Sequence, residues 1–430
     1  MSPFYDALET RDPAGREAAL MAALSRCVAH AQQATPALAQ WLQGVDAAGL
    51  TDRAALARLP VLRKSALMER QQRGSAPGTA HAPHDPHDPF GGFATIGWRG
   101  LAAATGARRV FQSPGPIYEP QGHGADYWRM ARALWAAGFR AGDLVHCSFS
   151  FHLTPAGAMV ESAAHALGCT VFPGGVGNTE LQLRAIADLR PQGYVGTPSF
   201  LKILVEQAAQ GEQDIASLTR ALVSGEAFPP SLRDWLAERG IQALQCYATA
   251  DLGLIAYETP AREGLVLDEG VIVEIVRPGT GDPVPDGEVG EVLVTVPNPD
   301  YPLIRFCTGD LSAVLPGPCP SGRTHTRIKG WMGRADQTAK VRGMFVHAAQ
   351  VAQVVARHPE VGRARLVVTG DMTDDRLLLR AEVQAPPEGL ATRLAETVRD
   401  ITRLRCVVEL VSPGSLPNDG RVIEDARTYR

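Results

Sequence analysis

Much that would place this chain in a familiar class is missing from it. No run of about eighteen apolar residues occurs, so no transmembrane helix is expected. Neither sign of charge dominates: 42 Lys and Arg stand against 46 Asp and Glu, a formal −4. No basic patch therefore calls for nucleic acid, and no acidic tail is present. The seven cysteines are scattered, with no CxxC pair. An odd, dispersed set fits a reducing cytoplasm better than a disulfide framework. The opening run MSPFYDALETRDPAGREAAL carries acids and reads as an amphipathic helix. It has neither a basic n-region nor an apolar h-segment, so a secretory signal is not expected.

What is present is enough chain, 430 residues, for a large core and two or three domains. Residues 1–75 are rich in Ala and Leu and read as helical, notably 54–59 and 64–72. The run GTAHAPHDPHDPFGG follows, and its prolines exclude a regular helix. His81, His84 and His87 there could bind a metal or simply lie in a solvated loop; no cysteine is near to complete a site. From about 105 to 260 strand and helix patterns alternate. Asp126 can cap a helix through Tyr127, Met130, Leu134 and Trp135 that ends at Gly138. Strand-like runs occur at 144–149, 170–172, 193–195 and 221–223, with helices starting near Pro155, Glu180, Ser199 and Pro230. This alternation predicts a parallel sheet covered by helices. GVIVEIV and EVLVTV, parted by a Gly/Pro turn, predict a β-hairpin region. After Asp336 the order helix (348–357), strand (364–368), strand (377–383), helix (390–404), strand (407–411) suits a small α+β domain.

Two motifs carry the chemistry. YPLIRFCTGDLSAV offers Arg305, Thr308, Gly309 and Asp310 in a polar turn after an apolar strand. GRTHTRIKGWMGRADQTAKVRG offers Arg334, Asp336, Lys340, Arg342 and Gly343 around another. A carboxylate accepts hydrogen bonds from two adjacent hydroxyls and an arginine donates to them, so two such turns can converge on a ribose. Their order and spacing resemble the hinge region of the AMP-forming acyl-CoA synthetases, most closely the phenylacetate–CoA ligase branch.

The resemblance implies an α/β fold: a large adenylate-forming domain over 1–335, with parallel-sheet subdomains and a β-rich part, and a small mobile α+β lid over 336–430. It implies activation of a carboxylic acid by ATP to acyl-AMP, then transfer to coenzyme A. ATP/AMP, Mg²⁺ and coenzyme A are the cofactors, with no nucleic acid or membrane partner; a homodimer is left open. Asp310 would hold both ribose hydroxyls with Arg334 as partner, and Lys340 and Gly343 belong to the same nucleotide motif. Asp336 would be the hinge. Ser224, Gly225, Glu226 and Ala227 of SGEAFPP match a segment bordering adenine. Tyr247, Ala248 and Thr249 of CYATAD match a segment in which Tyr247 stacks near adenine, and Asp251 would hold Mg²⁺ directly or through water. For each of these segments an ordinary strand-to-helix or capped turn is the plain alternative.

Three positions depart from the family pattern. Ala250 stands where a threonine usually bonds the α-phosphate. In the phosphate loop FQSPGPIYEPQG, Ser113, Gly115 and Pro120 fit, but Pro114 and Pro116 remove donors, and Glu119 replaces a lysine and would repel a phosphate. Arg421 follows Gly420 where the family ends in Gly-Lys; it keeps the charge in a different geometry. Tyr118, Phe151, His152 and Pro198 are the candidate acyl-pocket residues, with Phe149, Pro155, Ala156, Gly174, Thr197 and Phe200 around them. His152 could bind a carboxylate or be a core histidine. Aromatic and small residues together suit a flat aryl or arylacetic acid. An acyltransferase that has lost adenylation, or a nucleotide or acyl-CoA sensor, are the competing readings; Glu119 and Arg421 favour the first of these, and the intact TGD and GRAD motifs oppose it.

Overall fold

The computed structural model describes residues 2–74, 88–97, 106–276, 281–335, 338–342, 344–370, 374–417 and 422–427. The chain divides into two units, Met1–Gly333 and Arg334–Arg430. No helix among the described residues is long and apolar enough to cross a membrane.

The first unit is organised by a nine-stranded sheet. Five of its strands are parallel, in the order Thr170–Pro173, Leu144–Cys147, Gly193–Gly196, Arg220–Val223, Gln242–Thr249. Their apolar residues are largely buried because helices cross between them: Ala156–Ala166, Thr179–Leu189, Pro198–Gln210 and Pro230–Ala237. The start of Pro198–Gln210 is written locally: the Thr197 side chain accepts from Phe200 N, and Pro198 fills the first helical position, where a missing N–H costs nothing. The sheet continues antiparallel through Gly253–Glu258, Leu265–Leu267, Arg327–Ile328 and Val314–Leu315. The predicted alternation is therefore present, with strand and helix starts within a few residues of their sequence signals. The helix assigned to Asp126 is shorter than expected. Asp126 Oδ2 does accept from Ala131 N, but regular helix runs only over Ala131–Ala136.

The β-rich part is a second sheet, Leu62–Arg63, Leu303–Ser312, Gly290–Val296, Ile272–Val276. The expected hairpin is its Ile272–Val276/Gly290–Val296 pair. The N-terminal segment is bound to this body by buried charge. Glu9, 1% exposed, accepts from Arg323, and Arg11 and Arg16 both reach Glu269. All seven cysteines are free.

The second unit has its own core. A four-stranded sheet, Val407–Val411, Arg376–Val383, Val361–Thr369, Ile423–Asp425, is packed by the helices Ala348–Ala356 and Leu390–Thr402. A hairpin, Thr338–Val341 with Met344–His347, precedes it.

Candidate active site

The parallel strands all end on one edge. Chain order reverses about Leu144–Cys147, which has Thr170–Pro173 on one side and Gly193–Gly196 on the other. In open α/β sheets ligands bind in the crevice beyond the carboxyl ends at such a reversal. The segments that follow these strands carry Phe149, Phe151 and His152, then Thr197 and Pro198, then Ser224 to Ala227, then Ala250 and Asp251.

Tyr247 and Asp310 are neighbours. The Tyr247 hydroxyl donates to Asp310 Oδ2 at 2.7 Å, joining the strand Gln242–Thr249 to the strand Leu303–Ser312. Asp310 Oδ1 accepts from Trp331 Nε1 at 3.1 Å, and Asp310 N donates to Thr308 Oγ1. Two neutral donors thus orient a largely buried carboxylate. Trp331 was not anticipated. Its one signal in the sequence is an indole N–H between two glycines shortly before Arg334.

Two expectations for the TGD motif need correction. Thr308, Gly309 and Asp310 lie within the strand, not in a turn after it; Gly309, at φ 72°, bends the strand there. Arg305 is no nucleotide contact. It is 2% exposed and forms a two-pronged ion pair with Glu274, at 3.0 and 3.1 Å, while its guanidinium also donates to the carbonyls of Ala57, Leu59 and Gly281.

Ser224 Oγ donates to Cys246 O at 2.8 Å, tying the SGEA turn to the strand that carries Tyr247. Gly225 and Glu226 are exposed and Ala227 is half-buried. A Cβ placed on Gly225 would lie 3.8 Å from the Phe149 ring and 3.9 Å from Thr197 Cγ2, so these three residues meet. Ala248 and Thr249 are half-buried, and Thr249 Oγ1 accepts from Leu252 N to close a tight turn. Asp251 sits in that turn, not at a helix start.

Among the acyl candidates, Phe151 rests on Gly157, where a Cβ would come within 2.8 Å of its ring; only glycine admits this approach. His152 is exposed, which removes the core-histidine alternative. Its backbone N donates to Ser150 Oγ. Pro198 is buried at the start of its helix. Tyr118 is 36% exposed and its hydroxyl accepts from Gln112 Nε2.

The phosphate-loop segment is a β-hairpin, Arg109–Ser113 with Ile117–Gln121. The Gln71 side chain both donates to Tyr118 O and accepts from Tyr118 N, as a strand neighbour would. Gln112 N donates to Leu153 O, joining the hairpin to the acyl-side loop. Glu119 lies inside this hairpin. It is 3% exposed, and its Oε1 accepts from Ser113 Oγ at 2.7 Å. Its carboxyl is held well above the usual range, first by burial and then by the neighbouring Asp251 carboxylate. Asp251 Oδ2 accepts from Lys64 Nζ at 2.9 Å. Lys64, distant in sequence, was not anticipated here.

Hard carboxylate oxygens suit Mg²⁺, which is usually held by one or two carboxylates together with substrate phosphates. Asp251 Oδ1 and Glu119 Oε2 are buried without a partner, so the donors present fit that ion. No set of three or more His, Cys, Asp or Glu that could hold a metal occurs among the described residues.

In the second unit the Arg334 guanidinium and the Lys340 ammonium each lie 5.9 Å from the Phe345 ring centre. Arg342, at φ 49°, turns the Thr338–Val341/Met344–His347 hairpin, and its N–H donates to Asp375. Asp336, Gly343, Arg421 and the histidines 81, 84 and 87 lie outside the described residues.

Comparison with known proteins now adds the family. Residues 123–299 match the family described as AMP-binding enzyme. The phenylacetate-coenzyme A ligase of Thermus thermophilus is 30% identical over 317 residues, covering 67% of this chain and 71% of that protein. The Escherichia coli phenylacetate-coenzyme A ligase is 28% identical over 315 residues, covering 68% and 71%. Among solved structures, a 2-hydroxyisobutyryl-CoA ligase in complex with 2-HIB-AMP and CoA has the same fold, with a TM-score of 0.80 at 24% identity over 100% of this chain and 93% of that one. The chain belongs to the adenylate-forming superfamily, as an AMP-forming CoA ligase of the phenylacetate–CoA ligase-like branch.

Proposed function

We propose that this ligase activates an aromatic or arylacetic acid, and that the crevice at the carboxyl ends of the parallel strands is its site. The observation that carries the reading is the Tyr247–Asp310 hydrogen bond. It sets a flat ring and an oriented carboxylate side by side, as adenosine recognition requires. Tyr247 and the turn Ser224 to Ala227 flank the adenine, and Asp310 accepts from the ribose hydroxyls. The names of the relatives and the rings of Phe149 and Phe151 support a flat acyl group.

In the first half-reaction an acid oxygen attacks the α-phosphorus and pyrophosphate leaves. In the second the thiol of coenzyme A attacks the acyl carbon and AMP leaves. Bringing the acid to the phosphate converts an encounter into an intramolecular step. Charge that develops on the α-phosphate calls for a positioned cation. Arg421 is our candidate from this chain, while Arg334 partners Asp310 at the ribose and Lys340 belongs to the same nucleotide motif. Mg²⁺ bound at Asp251 would supply further charge neutralisation. Asp336 acts as the hinge between the half-reactions.

The test is a panel of aliphatic, benzoic and arylacetic acids with ATP, Mg²⁺ and CoA, scored for AMP and thioester. Arylacetic or benzoic acids should give the highest kcat/KM. Preference for a short aliphatic or hydroxy acid would refute the aromatic reading and leave the ligase assignment standing.

A further inference from the structure

The hairpin and the turn that follows the Tyr247 strand enclose a small cavity lined by Glu119, Asp251, Tyr301, Asn298, Tyr127 and Arg129. Each carboxylate there is satisfied at one oxygen only. Glu119 Oε1 accepts from Ser113, and Asp251 Oδ2 from Lys64. Glu119 Oε2 and Asp251 Oδ1 are buried and unpaired, and so is the hydroxyl of Tyr301, a residue only 4% exposed. A buried acceptor left unmatched costs about 1–3 kcal/mol, and more when charged. The oxygens are hard, and a single carboxylate from each of two elements is a usual protein contribution to Mg²⁺.

We propose that this cavity is a preformed divalent-cation site in the nucleotide-free protein, in which Glu119 is a second carboxylate ligand beside Asp251. It rests on the reading of Asp251 as the metal carboxylate and extends it in two ways. Glu119, at the position expected to carry a phosphate-binding lysine, here supplies negative charge to an ion. And the ion binds before any nucleotide does. Lys64 shares Asp251 and so competes with the ion for it. The buried hairpin position, fixed by Ser113 and by Gln71 at the adjacent Tyr118, holds Glu119 in place.

The probe is Mn²⁺, titrated into nucleotide-free protein and followed by electron paramagnetic resonance. Wild type should bind one ion per chain. Glu119→Gln, which keeps shape and removes charge, should weaken binding at least about tenfold, as should Asp251→Asn; even outer partners of a metal are typically worth 10–100-fold. Lys64→Met should tighten it, since the competing ammonium is gone. Circular dichroism checks that each variant is folded. If Asp251→Asn abolishes binding and Glu119→Gln does not, the metal assignment of Asp251 stands and the Glu119 inference falls. If wild type binds no Mn²⁺ without nucleotide, the preformed site is refuted. An infrared band of a protonated acid that is lost in Glu119→Gln and unmoved by Mn²⁺ would mean that a shared proton fills the gap, which also overturns it.

Discussion

Asp310 and His325 show how much single side chains do here, in opposite ways. Asp310 is held by Tyr247 and Trp331, and its replacement by Asn, which has nearly the same shape, should keep the local packing and lose the charge. Hydrogen bonds to a charged partner are worth about 1.5–3 kcal/mol each. Calorimetry should therefore show AMP binding weakened at least about tenfold in Asp310→Asn with an unchanged melting temperature. Undiminished affinity would remove Asp310 from the nucleotide site. His325 does no chemistry in this scheme. It is buried beneath the N-terminal segment, and its Nδ1 accepts from Thr326 N. Burial first, then the surrounding Arg16, Arg53, Arg11 and Arg132, pull its pKa down from 6.5 to about 3. The unfolded chain thus takes up a proton on this ring at a pH where the folded chain refuses it. Its contribution to stability is complete above about pH 6.5 and is lost as pH falls toward 3, with a slope approaching ~1.4 kcal/mol per unit. His325→Gln should flatten that part of the urea-denaturation pH profile relative to wild type. Parallel profiles would mean that the ring is protonated in the fold. Neither Trp331 nor the burial of Arg305 was legible in the sequence. An arginine beside TGD looks like a ligand contact until the strand pairing turns it inward toward Glu274.

At the scale of elements, the helix Lys64–Gly74 organises the departures from the family pattern. Lys64 and Gln71 are two turns apart and so lie on one face of the helix. One holds the Asp251 turn, the other the phosphate-loop hairpin. The sequence predicts this helix, since that follows from local periodicity, but it reads 111–122 as a phosphate loop and not as the hairpin that forms. It carries no trace of the pairings themselves, because Lys64 and Asp251 are 187 residues apart and Gln71 and Tyr118 are 47 apart. The prolines 114 and 116 were legible as stiffening, and the structure adds the form it takes: a hairpin, pinned by a side-chain amide that does a strand's work. Gln71→Ala would strand both backbone groups of Tyr118 in a site where Gln71 itself is 2% exposed. A loss of about 2–4 kcal/mol is expected. Hydrogen exchange should speed up over 109–121 while Mn²⁺ or AMP, where bound, should slow it again. Unchanged exchange there would mean that the hairpin stands without Gln71.

At the scale of the whole molecule, the chain is two units with separate cores that meet in sequence at Gly333 and Arg334. The sequence reading set its break two residues later, beside Asp336, on the strength of the GRAD motif. A motif can be read this closely because a connection between cores must be short and polar, while the cores on either side are written in apolar periodicity. What stays out of reach of such reading is whether the connection moves. The family resemblance implies that it does, with one orientation for adenylation and another for thioester formation. Pro at position 336 tests this. It fixes φ near −65° and removes one N–H, so it should restrict the backbone of the connection while leaving both cores intact. Rotations between units are absorbed by a few residues at their ends, so a change at one such residue can act on one conformation more than the other. In Asp336→Pro, pyrophosphate exchange and thioester formation from supplied acyl-adenylate should therefore fall by unequal factors, at least about tenfold apart. Both assays use the same folded protein and the same nucleotide site, so a general loss of stability or of AMP binding would lower them together. An equal fall in both would show that residue 336 matters for structure alone, and that a single arrangement of the two units serves both half-reactions.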